Sequence, residues 1–322
     1  MKYFITPFIL FFFSHSILSG QSILKPGLPK AAYGSKPPGL KTDSILFIAY
    51  MKGDSTLLST YWEKKIIKNI TEIDDFFCEV TKVKSSKTIT YIYNDYYILL
   101  SIDSTVPYKK VDQLMERLKI IPYEKIFLSV KDYKNRNRGY YINLSVNPDK
   151  RQKIVAELYG TSYNEIKYLG SDCVVYAGID SMPPPPPPMP LSTQDPDPLD
   201  TYLNLKKSGA DTNYYFIGID DGKPEINNKP GGAYDLSRLI MKKDSKLFLI
   251  PNEKNNYNDL IKLLDLLHQA QQAVYKLESI ILYNKEFADL SYTDSSEITS
   301  RYQLYYKILS ISEQLYLGKN IK

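Results

Sequence analysis

Apolar and polar positions follow two different rhythms along this chain. Runs rich in β-branched and aromatic residues predict strands at Asp43 to Tyr50 (DSILFIAY), Lys87 to Ile102 (KTITYIYNDYYILLSI) and Lys125 to Lys131 (KIFLSVK). Asn94-Asp95 punctuates the second run as a turn would. Lys109 to Ile120 instead spaces Val111, Leu114, Met115 and Leu118 by three and four, with Asp112, Glu116, Arg117 and Lys119 on the other side. That spacing predicts an amphipathic helix, which Pro122 ends. Beyond it, GYYINLSV from Gly139 and CVVYAGI from Cys173 predict strands, and Arg151 to Tyr159 a helix.

The second half uses the same elements. Tyr214 to Ile219 and Lys223 to Asn227 flank Asp221-Gly222, a hairpin signal because Gly accepts the positive φ the turn requires. Ala233 to Met241 predicts a helix through Leu236, Leu239 and Ile240, and Lys246 to Ile250 (KLFLI) a strand. Asp259 to Gln269 predicts a second helix on Leu260, Leu263, Leu264 and Leu267, and Val274 to Leu282 a closing strand. Ser296 to Leu317, with Tyr302, Tyr305, Ile308, Leu309 and Leu315 as its stripe and Gly318 at its end, predicts a final capped helix. The halves align without a gap: Tyr97–Leu118 falls on 246–267, Asp103 on Asn252 and Tyr108 on Tyr257. In each, a buried strand ends at a short polar residue that can bond the turning backbone, and a Tyr fixes the start of the returning helix. The expected fold class is α/β (α+β): two small sheet domains, each covered on one face by helices.

Breaks in the pattern set the boundaries. Residues 1–20 carry a cationic start, an apolar core from Phe4 to Phe13 and small residues before Gln21, the parts of a cleaved secretory signal; an uncleaved anchor is the alternative. Residues 21–43, with Pro26, Pro29, Pro37 and Pro38, read as a tether unable to sustain a helix or a sheet ladder. Residues 44–180 form the first domain, 181–205 a Pro-rich linker containing Met182 to Pro190 (MPPPPPPMP), and 206–322 the second domain. Nothing after the leader is apolar for long enough to span a bilayer, so no stable membrane insertion is expected.

Composition narrows the chemistry. The 322 residues are 43% hydrophobic and 24% charged, with a net charge of +5 whose signs are mixed along the chain, so a nucleic-acid partner is not expected. Only two His and two Cys are present, which leaves no zinc cluster and no cofactor to expect. Cys78 and Cys173 are the candidate disulfide in an oxidising compartment, with two buried thiols as the alternative. His268 falls near the predicted end of its helix, where a cation suits the macrodipole. Asp74-Asp75, Asp180 and Asp220-Asp221 read as turn residues rather than a catalytic pair, and Lys134 to Arg138 as a solvated loop.

The run Asp103-Ser104-Thr105-Val106-Pro107-Tyr108, followed by Val111, Met115 and Ile126 to Val130, resembles the periplasmic domain of the ExbD/TolR family of biopolymer-transport proteins. The strand-turn-strand YFIGIDDGKPEIN of the second half matches another feature of that family. The resemblance implies binding residues at Asp103, Pro107 and Tyr108, with Asn252 and Tyr257 as their counterparts. It implies an exported, non-catalytic envelope component, periplasmic or outer-membrane-facing. Such a component would bind proteins of a TonB/Tol-like system or peptidoglycan through sheet edges, and homodimer formation is compatible with it. Family members of the energising type place one such domain behind a transmembrane helix with an essential Asp; the leader here has no acidic residue. The alternatives are an envelope enzyme acting on glycan or peptide, and a secreted adhesion-type protein.

Overall fold

The structure, a computed structural model, describes residues 26–37, 45–59, 64–67, 72–73, 97–118, 125–143, 198–208, 213–242 and 245–320. Among them are two mixed sheets and six α-helices. The first sheet contains β1 (Ile45–Lys52), β2 (Ser55–Ser59), β3 (Lys64–Ile67), β4 (Tyr97–Ile102), β5 (Lys125–Lys131) and β6 (Asn137–Asn143), in the order β3-β2-β1-β4-β5-β6. Helix α1 (Tyr108–Leu118) carries the crossover between the parallel strands β4 and β5. The second sheet contains β7 (Tyr214–Asp220), β8 (Lys223–Ile226), β9 (Lys229–Pro230), β10 (Lys246–Leu249) and β11 (Tyr306–Ile308), in the order β11-β10-β7-β8-β9.

Five strands correspond one to one. In each sheet a hairpin strand lies parallel to a later central strand, which leads through one α-helix in the first half and two in the second into a third parallel strand. The registers correspond as well: Leu100 lies opposite Ala49 and Leu128, and Leu249 opposite Ile217 and Ile308. The β7–β8 hairpin turns on Asp221 and Gly222, at φ 46° and 73°, the paired positive angles that a two-residue turn requires. Strand β6 has no counterpart in the second sheet.

Alternate residues of the central strands point to the helices. Ile98, Leu100 and Ile102 of β4 pack with Ile126, Leu128 and Val130 of β5 and with Val111, Leu114, Met115 and Leu118 of α1. In the second half Ile217, Ile219, Leu247 and Leu249 pack against Leu236 of α3 (Ala233–Met241) and Leu260, Leu263, Leu264 and Leu267 of α4 (Tyr257–Tyr283). These two sets belong to one continuous apolar cluster, so the sheets share a core. Each fully buried Leu or Ile there contributes about 1.5–3 kcal/mol.

The second sheet is also covered on its other face. Helices α2 (Pro198–Lys207) and α6 (Ile311–Asn320) bring Leu199, Tyr202, Leu203 and Leu317 against Tyr214, Phe216 and Phe248. The Tyr202 ring lies 5.3 Å from both Tyr214 and Phe216, distances at which offset and edge-on aromatic pairs attract. The Pro-rich stretch therefore gives way to packed helix at Pro198, inside the expected linker.

Three expectations are corrected. Val274 to Leu282 is not a strand: α4 continues to Tyr283, burying Ala270, Val274, Tyr275 and Glu278 at helical spacing, and Asn284 caps it at φ 49°. His268 is consequently in mid-helix, away from the end of the dipole. Residues 296–317 are not one helix: α5 (Tyr292–Arg301) stops, β11 joins β10 in parallel, and α6 restarts. Ser310 and Glu313 form the capping box of that restart, each backbone N–H bonding the other's side chain.

Part of the expected tether, residues 26–37, is described. Residues 26–37 lie extended on the body, bridging Lys30 to Lys131 and Ser35 to Gly139. The prolines are compatible with this because the N–H groups used belong to Gly27, Ala31, Ala32, Tyr33 and Ser35. The leader, Cys78, Cys173, Asp74-Asp75, Asp180, the Asn94-Asp95 turn, the elements expected at 151–179 and the proline run lie outside the described residues. Among the described residues no helix is long and apolar enough to cross a membrane.

Candidate functional site

Of the five residues singled out by sequence, Pro107, Tyr108 and Tyr257 bond across the junction of the two halves, and Asp103 and Asn252 shape the turns that lead into it. Strand β4 ends at Asp103, whose carboxylate accepts the Thr105 N–H at 3.1 Å. Strand β10 ends just before Asn252, whose side-chain oxygen accepts the Lys254 N–H at 2.9 Å. The two positions therefore make the same turn, with the polar side chain bonding the backbone two residues on. Pro107 and Asn256 form an antiparallel bridge across the junction. Tyr108 donates its backbone N–H to Asn255 O, and Tyr257 donates its own to Val106 O, both at 2.8 Å.

Both rings are fully buried. The Tyr108 hydroxyl donates to Leu309 O at 3.4 Å, whereas the Tyr257 hydroxyl has no hydrogen-bond partner among the described residues. Burial raises both phenols well above their ordinary range, and for Tyr108 the charges of Asp112, Glu116 and Glu313 add to it. Neither titrates near neutral pH. These Tyr residues are structural pins, and the seam's solvent face carries the Lys109–Glu253 ion pair, 3.7 Å apart.

Asp103 has a second task. Its other carboxylate oxygen accepts the Gly27 N–H at 2.7 Å, and its first also accepts the Thr105 hydroxyl at 2.8 Å. Burial pushes its pKa up, but the Thr105 and Gly27 N–H groups, the Thr105 hydroxyl and the charge of Lys52 more than reverse this, leaving it below the ordinary value. A carboxylate saturated in this way anchors backbone and is poorly suited to carrying protons.

A second cluster, not legible beforehand, forms where residues 26–37 pass between β6 and α4. Asp265 of α4 accepts the N–H groups of Ala32 and Tyr33 at 3.1 and 2.7 Å and a short hydrogen bond from the Tyr140 hydroxyl. The Tyr140 ring stacks on His268 at 5.1 Å, 26° from parallel. Burial lowers the His268 pKa, with the Asp265 charge opposing, and burial plus the bond to Asp265 raises that of Tyr140. In sequence Asp265 reads only as the polar face of a helix. The single available signal was the small-residue spacing Gly27, Ala31, Gly34 within the Pro-rich stretch.

The other candidates are turn chemistry. Asp132 holds the β5–β6 loop by accepting the Lys134 and Arg136 N–H groups at 2.8 Å and Arg136 Nε at 2.6 Å, which neutralises part of the basic run. Asp220 and Asp221 sit at the β7–β8 turn.

The sheet ends differ. β6 is met from outside by Ser35, which exchanges two backbone hydrogen bonds with Gly139 at 2.8 and 3.0 Å. β9 is two exposed residues, Lys229 and Pro230, and proline lacks the N–H a further strand would use. β3 is the terminal strand at the opposite end of the first sheet, with Ile66 63% exposed, and no described segment pairs with its outer edge. No family model, curated protein sequence or solved structure matches the chain.

Proposed function

We propose that this chain is an exported, non-catalytic binding or scaffold protein of the cell envelope. In this reading its two strand–helix units are akin to the periplasmic domain of ExbD/TolR proteins, and it engages proteins of a TonB/Tol-like system or peptidoglycan through a sheet edge. The observation that carries the reading is the contrast between sheet ends: β6 is paired by residue 35, β9 is blunted by lysine and proline, β11 is only three residues long and pairs with β10 alone among the described residues, and β3 ends its sheet with an exposed Ile66. An open edge strand can add a partner strand through main-chain hydrogen bonds. The reciprocal backbone bonds at the seam support it further, because they hold two like units in one rigid platform. Export rests on the leader-like residues 1–20.

Ile66→Glu places a charge on that edge at an exposed position, where folding is expected to survive. Wild type and variant are compared in co-sedimentation with purified peptidoglycan and in capture of envelope proteins. The expected result is loss of the captured partner with unchanged circular dichroism. Equal capture by both proteins would count against edge binding.

A further inference from the structure

Residues 26–37 are held as a peptide ligand is held. Eight hydrogen bonds fix the segment, and every one uses its main chain. Gly27 N–H donates to Asp103 Oδ2 at 2.7 Å and Gly27 O accepts from Ser104 N at 2.9 Å. Pro29 O accepts from Lys131 N and Ala31 N–H donates to Lys131 O, both at 2.9 Å. Ala32 and Tyr33 donate to the two oxygens of Asp265, and Ser35 exchanges two bonds with Gly139. The partners lie on β5, β6, α4 and the turn after β4, at least 76 residues away in sequence. Of the side chains only Pro29 and Ala31 are buried, Ala31 completely.

This is the recognition pattern of strand-addition sites, in which main-chain bonds supply affinity and a few small pockets supply selectivity. Selectivity here falls on small residues. Ala31 fills a closed pocket, and a Cβ at residue 34 would lie 3.1 Å from Arg138 Cβ and 3.2 Å from Val130 Cγ2. Nothing in these contacts depends on the segment belonging to the same chain. Covalent attachment only raises its local concentration, so a trans ligand must compete with the cis one.

We propose that the groove between the β5–β6 end of the first sheet and α4 is a receptor for an extended peptide supplied in trans. Residues 26–37 are its cis occupant, and the ligand carries small residues at the positions of Ala31 and Gly34. This site is separate from the β3 edge and stands whether or not that edge binds anything.

The test uses the full chain and a fluorescent peptide with the sequence of residues 26–37, followed by anisotropy. Ala31→Arg blocks the cis segment from its pocket while leaving the groove intact. The variant is expected to bind the peptide about tenfold or more tightly than wild type does. Adding Asp265→Ala to the variant is expected to reverse the gain, since a charged acceptor serving two N–H groups is lost. A peptide carrying the same Ala31→Arg change should not bind. If Ala31→Arg does not fold, Tyr33→Pro with Ser35→Pro removes two strap donors at exposed side chains and serves in its place. A folded variant that fails to bind, or equal binding by wild type and variant, overturns the proposal. So does equal binding of the two peptides. Retained capture by Ile66→Glu bears only on the β3 edge.

Discussion

Tyr108 and Tyr257 each donate a backbone N–H to the carbonyl two residues upstream of the other, Tyr108 to Asn255 and Tyr257 to Val106, at the same 2.8 Å. The exchange places a local two-fold relationship inside a single chain. It also explains why each Tyr begins a helix. The N–H that a first helical turn leaves unpaired is satisfied across the seam, while the ring enters the shared core.

The relationship stops at the hydroxyls, and that asymmetry yields a prediction. Tyr257 buries its O–H with no hydrogen-bond partner among the described residues, whereas Tyr108 reaches Leu309 O. A buried polar group left unpaired costs about 1–3 kcal/mol. Tyr257→Phe should therefore leave stability unchanged or raise it by about 1 kcal/mol, while Tyr108→Phe lowers it by a similar amount. Urea denaturation of the two variants measures the difference, and a large loss in Tyr257→Phe would mean that its hydroxyl is bonded.

Acid stability should fall in two stages. The folded pKa of His268 lies below its ordinary 6.5, so the unfolded chain takes up that proton more readily than the folded one. The contribution of the neutral ring is complete above pH 6.5 and drains away as pH falls through that value toward the folded pKa. Asp103 behaves alike at lower pH: its contribution is complete above its ordinary 3.8 and is lost as pH falls through its depressed folded value. The denaturation midpoint should decline first below pH 6.5 and again below pH 3.8. His268→Gln should abolish the first stage only; an unaltered profile in that variant would assign the proton elsewhere.

How much of this was legible follows from the range of the forces involved. Strand β4 and helices α1 and α3 were readable because their burial repeats every two or every three to four residues, β5, β7 and β10 because they are short, nearly continuous apolar runs, and Asp103, Asn252 and the paired Tyr residues because they follow those patterns. The far half of α4 was misread because Val274, Ile280 and Ile281 are β-branched, although no Gly or Pro interrupts the chain from Tyr257 to Tyr283. Strand β11 was hidden since three residues pairing with β10 leave no periodic trace. Asp265 and Gly139 bond residues 26–37, which are more than 100 positions away in sequence, and no local pattern encodes that.

Gly139 offers a direct probe of the crossing at β6. A Cβ there would lie 2.3 Å from Leu128 O and 2.4 Å from the Phe127 ring, and those strands cannot separate without breaking the β5–β6 ladder. Gly139→Ala should destabilise the protein by about 1–3 kcal/mol, the usual cost of overpacking, and loosen residues 26–37. Hydrogen exchange at Ala31 and Ser35 reports the second effect. Unchanged exchange together with unchanged stability would show that the backbone accommodates the methyl group.

The shared core carries the last prediction. Leu114 of α1 and Leu263 of α4 occupy equivalent positions in the two helices and are both fully buried in the same apolar cluster. Truncating either Leu to Ala removes three side-chain carbons and costs about 2–5 kcal/mol, depending on how far the cavity collapses. Were the halves independent bodies, each substitution would lower one of two transitions and leave the other in place. Because one cluster joins both sheets and the Tyr108 and Tyr257 backbones cross-bond at the seam, each variant should instead lower a single transition seen equally by near- and far-ultraviolet circular dichroism. Two transitions, with Leu114→Ala moving one and Leu263→Ala the other, would mean that the core divides between the sheets.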